Sequence, residues 1–379
     1  MVTLYNENIK KEEQQMSKNN LIQETKNKSN VSETIEKTNE SSEKLNKSKT
    51  HGKRSKKKKK TLKQKLRILL TVLISIILLF VIFVFLFFKT SLFQKYKELW
   101  VVTAMSTMNH QYLARWFLSD EEIEEILKRL EVQNNENSDS NDISINENVT
   151  ETEKGISVEK ITGKNYIGFV MTIPDPSKVK LVDGRLSSRG SKLSEIVKKN
   201  NAIGGINAGG FTDENGVGSG NSLCRATIIN KKMQYGNKSS RYSLIGLTSD
   251  SKLVLGKYNY QEAMAQGIES AIEFGPYLIV NGKNQITNAN SGGIHPRTAI
   301  GQKQDGTMIF VVIDGRQVGY SIGTNLLELQ NIFNKYDAYN AANLDGGSSS
   351  TMYYNNKLTN KPSTPAGQRY LPNAFIVKE

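Results

Sequence analysis

The chain has 379 residues and a formal net charge of +14, but its basic residues are unevenly distributed. Residues 1–67 hold 19 of the 51 lysines and arginines and only 8 of the 37 acidic residues, so the rest of the chain is nearly neutral. Because the basic excess is not spread over a foldable domain and has no interleaved aromatic side chains, the composition argues against a nucleic-acid partner.

An N-terminal tail precedes a long apolar segment. Residues 1–50 are dominated by Asn, Lys, Glu, Ser, Gln and Thr, which bury too little apolar area to offset the entropy of ordering. The basic cluster 53–60 leads into the apolar run Ile68–Phe88, which is long enough for a helix of about 20 residues to cross a bilayer. Basic residues on the N-terminal flank indicate that this flank stays in the cytoplasm. We therefore predict a disordered basic cytoplasmic tail over residues 1–65 and a transmembrane signal anchor over 66–88.

The anchor is predicted to be retained. Its apolar run exceeds that of a cleavable signal peptide, and no small-x-small site follows it. The predicted location is the cell membrane, with a single pass, a cytoplasmic N-terminus and an extracellular C-terminal domain. The single cysteine, Cys224, excludes an internal disulfide, which in an exported domain is typical of a bacterial surface. We expect Cys224 to be a buried small side chain rather than a nucleophile.

A helical segment is predicted after the anchor, from Trp100 to Leu130. Ser119 or Asp120 can cap its last helix, and apolar residues at 123, 126, 127 and 130 share one face of that helix. The segment is either a stalk or a helix laid on the following domain. Residues 131–155 are rich in Asn, Glu and Ser, which is typical of a linker. Residues 89–154 are therefore predicted to form a stalk helix and linker.

The composition changes at Gly155, after which short β-prone runs alternate with clusters of Gly, Asn, Asp and Ser. Strands outnumber helices and do not alternate with them regularly, so we predict an α+β fold, with a single mixed-sheet globular domain over residues 155–379. The predicted strands are Tyr166–Ile173, Ser243–Thr248, Leu253–Leu255, Tyr277–Val280 and Met308–Ile313, and the predicted helices are Leu193–Asn200 and Thr324–Tyr336.

Four segments of this domain place glycine and polar residues at the ends of apolar runs. They are residues 204–211, 292–301, 311–316 and 341–351. In each of them, glycine allows a backbone or a ligand to approach closely.

The domain resembles the phosphodiester glycosidase family over residues 155–379. The resemblance is carried by four motifs, Asn207-Ala208-Gly209-Gly210-Phe211, Gly275-Pro276-Tyr277-Leu278, Arg297-Thr298-Ala299-Ile300-Gly301 and Asn343-Leu344-Asp345-Gly346-Gly347-Ser348-Ser349. It implies the fold of that family and a hydrolase that cleaves a sugar-1-phosphodiester bond. Its bacterial relatives imply a role in exopolysaccharide biosynthesis. Many relatives carry two aromatic residues after the Asn-Gly-Gly segment, where this chain has Phe211-Thr212.

The residues in these motifs suit such chemistry. Cleavage at the anomeric carbon builds positive charge on the sugar and releases a phosphate, which is a good leaving group. The reaction therefore needs an anion clamp and a carboxylate more than a strong acid. Asp345 and Asp314, each of which ends an apolar run, are the predicted catalytic carboxylates. Glu273 is an alternative second carboxylate, and His295 is predicted to act in catalysis or phosphate binding.

The predicted substrate-binding residues fall into two groups. Arg297 offers a guanidinium fork to the phosphate, and the backbone amides and hydroxyls of residues 346–349 offer an anion-binding loop. Asn207 and residues 209–211 would shape the sugar pocket. The predicted set is Asn207, Gly209, Gly210, Phe211, Arg297, Thr298, Arg316, Gly346, Gly347, Ser348 and Ser349.

Each assignment also has a purely structural alternative. Asp345-Gly346-Gly347 and Asp314-Gly315-Arg316 fit plain turns. His295 precedes a proline and fits a loop cap, Arg297 fits an ion pair, and Asn207 fits a brace of loop backbone.

A divalent cation is an alternative that the residue types leave open. Asp314, Asp345 and Asn207 are hard oxygen donors that suit Ca²⁺ or Mg²⁺. However, the sequence has no closely spaced Asp-x-Asp-x-Asp loop and no His pair at ligand spacing. We therefore assign no metal ligands and no cofactor.

The leading prediction is a membrane-anchored hydrolase that acts on a carbohydrate or phosphoglycan substrate at the cell surface. A transferase of phosphate-linked glycans is one alternative, disfavoured because few arginines lie near the motifs. A non-catalytic component of exopolysaccharide or cell-wall polymer biosynthesis is the other.

Overall fold

The computed structural model describes residues 61–107, 109–145, 155–212 and 218–379. The predictions for the tail over residues 1–60 and for the linker over residues 146–154 lie outside the described residues. The chain divides into two units between residues 75 and 76, and the second contains every described strand and every described helix after the first.

The described helices begin with one apolar helix that is long enough to cross a membrane, as predicted. The helices are α1 Leu62–Lys89, α2 Gln94–Met105, α3 Tyr112–Arg115, α4 Asp120–Leu130, α5 Leu193–Lys199, α6 Tyr260–Ala265 and α7 Leu326–Lys335. The strands are β1 Ser157–Thr162, β2 Ile167–Ile173, β3 Val179–Asp183, β4 Ala202–Asn207, β5 Thr227–Ile229, β6 Lys232–Tyr235, β7 Tyr242–Thr248, β8 Leu253–Tyr258, β9 Ile268–Glu273, β10 Tyr277–Val280, β11 Lys283–Asn284, β12 Arg297–Gln302, β13 Met308–Ile313, β14 Asn340–Asn343, β15 Met352–Tyr354, β16 Lys357–Leu358 and β17 Asn373–Lys378.

The predicted α+β class is confirmed, and the strands divide into three sheets where one mixed sheet was expected. A seven-stranded sheet has the order β1-β2-β13-β12-β14-β10-β11. Two five-stranded sheets have the orders β16-β15-β4-β17-β3 and β6-β5-β9-β7-β8. All pairings between the described strands are antiparallel.

The main hydrophobic core lies where all three sheets meet. Alternate residues of a strand point to opposite faces, so each central strand supplies two cores. Met308, Phe310 and Val312 of β13 face the core shared with the other sheets. Ile309, Val311 and Ile313 of the same strand face helix α7, which packs through Leu329 and Phe333 among others. This double burial explains why β13 is apolar at every position.

The helices that precede the domain pack on it, so the second of the two alternatives for this segment is observed. Ser119 caps α4 in a capping box with Glu122. Ser291 Oγ donates a hydrogen bond to the carbonyl oxygen of Leu130, 2.9 Å away. The Asn290 side chain donates to the carbonyl oxygen of Lys95 at 3.0 Å.

The described part of the predicted linker also lies on the domain. Ser138 is buried. Its N–H donates a hydrogen bond to the carbonyl oxygen of Leu255 in β8 at 2.7 Å, and its Oγ accepts one from the Leu255 N–H at 2.8 Å. Asn134 Oδ1 accepts a hydrogen bond from the backbone N–H of Tyr277, 2.9 Å away. Ile143 is fully buried. Specific contacts therefore hold residues 131–145 on the surface of the domain. The polar composition of this segment did not by itself indicate these contacts.

Candidate active site

A cavity of about 1210 Å³ lies at the edge of the domain where the glycine-rich segments meet. Strand β12 begins at Arg297 and pairs with β14, which leads directly to Asp345. The ends of adjacent strands therefore carry their polar side chains to one place. The predicted site residues that line the cavity are Phe211, Glu273, His295, Arg297, Arg316, Asp345, Gly346, Gly347, Ser348 and Ser349.

Five of the predicted residues lie behind the cavity rather than on it: Asn207, Gly209, Gly210, Thr298 and Asp314. Asn207 is buried, and its Oδ1 accepts hydrogen bonds from Thr298 Oγ1 at 2.8 Å and from the Thr351 N–H at 3.0 Å. Its Nδ2 donates to the carbonyl oxygen of Asp345 at 2.6 Å. Since these bonds use both ends of the amide, Asn207 holds the loop that carries Asp345.

The Gly-Gly-Phe segment approaches two other side chains. The N–H of Gly209 donates to Asn373 Oδ1 at 2.6 Å. A Cβ at Gly210 would lie 3.2 Å from the Phe274 ring, so glycine leaves room for that ring. Phe211 reaches the cavity, and the Arg369 guanidinium lies 4.8 Å from its ring centroid.

The loop after Asp345 closes against the loop before β12. A Cβ at Gly346 would lie 2.8 Å from the carbonyl oxygen of Pro296. Gly347 has φ +61°, which a side chain rarely adopts, and its missing Cβ would lie 3.3 Å from the Arg316 guanidinium. The N–H of Gly347 donates to Pro296 O at 2.9 Å. Part of the predicted anion-binding backbone is thus engaged within the protein.

Arg297 is a buried cation that lines the cavity. Its Nη2 donates to the carbonyl oxygens of Gly292 at 2.6 Å and Gly293 at 2.7 Å, and its Nε donates to Thr324 O at 3.3 Å. It forms no ion pair with a described carboxylate. Burial and the neighbouring Arg316 lower the pKa of Arg297 to about 9, so it is charged at neutral pH. A buried cation without a carboxylate partner favours an anionic ligand.

His295 is a neutral hydrogen-bond donor. Its Nδ1 lies 3.3 Å from Nη2 of Arg316, which can only donate, so Nδ1 accepts and the ring proton is on Nε2. Nε2 is buried and has no hydrogen-bond partner among the described residues. Burial, with the nearby Arg297 and Arg316, lowers the pKa of His295 to about 3. His295 lines the cavity, so its neutral ring borders the space that a ligand would occupy.

Four carboxylates line the cavity: Asp345 and Glu273 come from the strand-rich domain, and Glu124 and Glu131 come from the helical segment before it. Glu273 ends β9, and its Oε2 accepts a hydrogen bond from the Ala226 N–H at 3.1 Å. Asp345 is partly exposed. Burial lowers the pKa of the Arg316 guanidinium, and the nearby Asp345 carboxylate opposes that decrease.

Asp314 is fully engaged away from the cavity. Its carboxylate accepts hydrogen bonds from Asn360 Nδ2 at 2.8 Å, the Lys361 N–H at 3.0 Å and the Tyr320 hydroxyl at 3.0 Å. Burial raises the pKa of Asp314, and these hydrogen bonds oppose the rise. Its predicted catalytic role stays a prediction, since Asp314 does not line the cavity.

The sequence analysis missed two cationic residues, Arg225 and Arg369. Both line the cavity, and the Arg225 guanidinium lies 5.5 Å from the Phe274 ring centroid. Arg369 donates to Ser348 Oγ at 3.0 Å. Neither arginine lies in a glycine-rich motif. The one signal that could have indicated these residues is their cation–π pairing with Phe274 and Phe211.

Cys224 corrects one expectation, because its side chain is exposed rather than buried. It precedes β5, where the chain approaches the surface. Partial desolvation raises the pKa of its thiol, with Asp345 and Glu273 adding to the rise. A raised pKa agrees with the expectation that Cys224 is not a nucleophile.

The described residues contain no cluster of three or more His, Cys, Asp or Glu side chains that could hold a metal ion. Of the proposed oxygen donors, Asn207 has both ends of its amide engaged and Asp314 lies behind the cavity. The geometry therefore favours anion binding through arginine over metal binding.

The fold and the cavity define an α+β protein whose carboxylates and arginines share one pocket. A family model described as phosphodiester glycosidase matches residues 200–378 of this domain, which is therefore similar to that family.

Two curated relatives match about a quarter of the chain each. The SPbeta prophage-derived uncharacterized protein YomE of Bacillus subtilis is 33% identical over 104 residues, which are 26% of this chain and 16% of that protein. The N-acetylglucosamine-1-phosphodiester alpha-N-acetylglucosaminidase of Bos taurus is 32% identical over 108 residues, 28% of this chain and 18% of that protein. The chain thus spans less than a fifth of the length of either relative.

A solved structure shows the same fold. The catalytic domain of zebrafish N-acetylglucosamine-1-phosphodiester alpha-N-acetylglucosaminidase, auto-inhibited by its pro-peptide, has a TM-score of 0.50 and 20% sequence identity. The likeness covers 64% of this chain and 88% of that chain.

Proposed function

We propose that this protein is a membrane-anchored hydrolase that cleaves the glycosyl–phosphate bond of a sugar-1-phosphodiester in a surface glycopolymer. The observation that carries the proposal is the cavity in which Asp345 and Glu273 meet the guanidinium groups of Arg297 and Arg316. A glycosyl phosphodiester needs both kinds of group, because positive charge develops on its sugar while its phosphate is anionic. Similarity to the phosphodiester glycosidase family supports the same reaction class.

The carboxylates act on the sugar. In the proposed reaction the bond between the anomeric carbon and the phosphate oxygen breaks, and its electron pair leaves with the phosphate. The oxygen of a water molecule bonds to the anomeric carbon and passes its proton to a carboxylate. Asp345 and Glu273 are the acidic side chains that the family-matched domain contributes to the cavity, and we assign the charge-stabilising and proton-accepting roles to this pair.

The cationic groups and His295 act on the phosphate. Arg297 and Arg316 supply positive charge in a partly desolvated pocket, where an ionic hydrogen bond is stronger than in water. The Nε2–H of His295 donates a hydrogen bond to a phosphate oxygen. Since the pKa of His295 is about 3, it acts as a neutral donor and does not transfer a proton at neutral pH.

The cavity should face the outside of the cell. Helix α1 is long and apolar enough to span a membrane, and the basic residues before it favour a cytoplasmic N-terminus. The single, exposed Cys224 offers a test of this placement. In intact cells, a membrane-impermeant maleimide should label the protein, whereas a C224S variant carrying Ser55→Cys in the tail should be labelled only after lysis. The reverse pattern would contradict the proposed topology.

Turnover tests the reaction itself. The full-length chain in detergent is incubated with N-acetylglucosamine-1-(methyl phosphate), the sugar being taken from the names of the relatives, and with 1-phosphodiesters of glucose and galactose. Release of free sugar from at least one substrate, abolished in Asp345→Asn, is the expected result. If none of these substrates releases sugar while the protein is folded by circular dichroism, the hydrolase proposal is wrong for these sugars and for the class they represent.

A transferase is a second candidate because the structure adds Arg225 and Arg369 to the arginines at the cavity. Four guanidinium groups suit a diphosphate donor better than the two found by sequence motif. Polymer attached to peptidoglycan only when the protein is present, together with slow hydrolysis of the simple phosphodiesters, would favour transfer.

A further inference from the structure

One wall of the cavity comes from the helices that precede the family domain. From α2, α4 and the loops that follow them, polar and apolar side chains line this wall, with the polar ones in the majority. The polar side chains include Thr107, Asn109, His110, Glu124, Lys128 and Glu131. We call these six residues the helical wall. They face a cavity whose other side carries Asp345, Arg316 and Ser348.

The helical wall is held firmly against the domain. Thr103 Oγ1 accepts a hydrogen bond from the Ile294 N–H at 3.3 Å, and a Cβ at Gly293 would lie only 2.8 Å from Thr103. Ser291 and Asn290 bond to the carbonyl oxygens of Leu130 and Lys95. The wall nevertheless leaves about 1210 Å³ open, so it bounds the cavity without filling it.

Several polar side chains of the helical wall form no hydrogen bond or ion pair with the described residues, among them Lys128 and Asn109. Both the Lys128 ammonium and the Asn109 amide line the cavity. A ligand that extends from the phosphate toward this wall would find donors and an acceptor there. The polar character of the wall suits a group rich in hydroxyls better than a lipid chain.

We propose that the helical wall is a binding subsite for the group esterified to the phosphate, and that this group is a hydroxyl-rich sugar or polyol residue. The proposal rests on the proposed function. The family match begins at residue 200, so the wall lies outside the matched domain. The matched domain supplies the carboxylates and arginines at the scissile bond, and the preceding helices select the group beyond it.

Binding of two matched ligands tests the subsite independently of turnover. Both ligands are non-hydrolysable C-glycosyl phosphonates of N-acetylglucosamine, one as the methyl ester and the other esterified to the primary hydroxyl of methyl glucoside. Isothermal titration of the full-length chain in detergent gives the two affinities. We expect the glucoside ester to bind at least about fivefold more tightly, as one or two additional hydrogen bonds would give.

Substitutions locate the difference on the helical wall. Lys128→Ala and Asn109→Ala should each weaken binding of the glucoside ester by about fivefold and leave the methyl ester unaffected. The matched control is Lys95→Ala, an exposed lysine of α2 that does not line the cavity. It should leave both affinities unchanged.

Other results of these measurements would contradict the proposed subsite. Equal affinities of the two ligands in the wild type, or no binding of either, would contradict it. Variants that bind both ligands more tightly would show that the helices obstruct the cavity instead. Turnover of the corresponding phosphodiesters is measured in parallel, so a protein that discriminates between the ligands but releases no sugar would refute the hydrolase proposal and not the subsite.

Discussion

The side-chain amide of Asn207 donates a hydrogen bond to the carbonyl oxygen of Asp345 over 2.6 Å, although 138 residues separate them in the chain. The same side chain accepts hydrogen bonds from Thr298 and Thr351. One buried amide therefore joins three of the motifs that carry the family resemblance. It sets the position of a catalytic candidate without touching the cavity itself.

Loss of this amide should cost both stability and turnover. Asn207→Ala leaves three buried partners unsatisfied, and we expect the free energy of unfolding to fall by about 2 to 4 kcal/mol. Turnover should fall as well, because the Asp345 loop loses its tether. Denaturant unfolding and sugar release are measured on the same preparation. The control is Asn284→Ala at an exposed position, and equal behaviour of the two variants would contradict the role given to Asn207.

The two aspartates of the sequence analysis should respond differently to the same substitution. Asp345→Asn should lower turnover by about 100-fold or more without weakening phosphate binding, because it removes a carboxylate from the cavity. Asp314→Asn keeps the acceptor for Asn360 and Lys361, so turnover should stay within a few-fold of the wild type. Initial rates of both variants decide the question. A folded Asp314→Asn protein without activity would restore the catalytic role first predicted for Asp314.

The buried His295 should make the protein acid-sensitive. Its pKa falls from 6.5 to about 3 on folding, so between these values the unfolded chain binds the proton more readily than the folded one. The stability that comes from a neutral His295 is complete above pH 6.5 and is lost progressively as the pH falls toward 3. Unfolding free energies at pH 7.5 and 4.5 should differ more in the wild type than in His295→Asn. A pH dependence unaltered by the substitution would argue against this cause.

Arg316 should determine phosphate affinity. It lines the cavity and is solvent-accessible, so Arg316→Gln should preserve the fold but weaken binding of inorganic phosphate by about tenfold. The control is Arg185→Gln, which removes an arginine paired with Asp183 away from the cavity. Thermal shift against phosphate concentration measures both. Similar shifts for the two variants would show that Arg316 does not bind the anion.

Local elements were predicted well because their signals are local. Strands β10 and β13 have the predicted bounds, and the predicted cap at Ser119 or Asp120 is found at Ser119, whose hydroxyl accepts the Glu122 N–H. Helix α7, Leu326–Lys335, lies within the predicted helix Thr324–Tyr336 and begins after its cap Asn325. Each of these features depends on residues within about one helical turn or one strand of each other.

The roles of the polar residues were harder to predict, because the same residue type can either line the cavity or form hydrogen bonds that support the fold. Asp314 and Asp345 both end apolar runs and precede glycine, yet Asp345 lines the cavity while Asp314 accepts hydrogen bonds from Tyr320, Asn360 and Lys361. The guanidinium of Arg297 was predicted to bind phosphate as a bidentate fork. In the structure, two of its three nitrogens donate hydrogen bonds to backbone carbonyl oxygens. Which groups remain for a ligand depends on partners that no local pattern identifies.

By itself, the sequence determined the apolar span, the α+β class, the positions of several strands and the family resemblance, because these follow from composition, periodicity and short motifs. Only the tertiary structure decided that Asn207 braces the Asp345 loop, that Arg225 and Arg369 join the cavity, and that the helices after the span form its other wall. The physical reason is distance along the chain. Asn207 and Asp345, for example, lie 138 residues apart, and the geometry of such contacts exists only after the three sheets have packed on a common core.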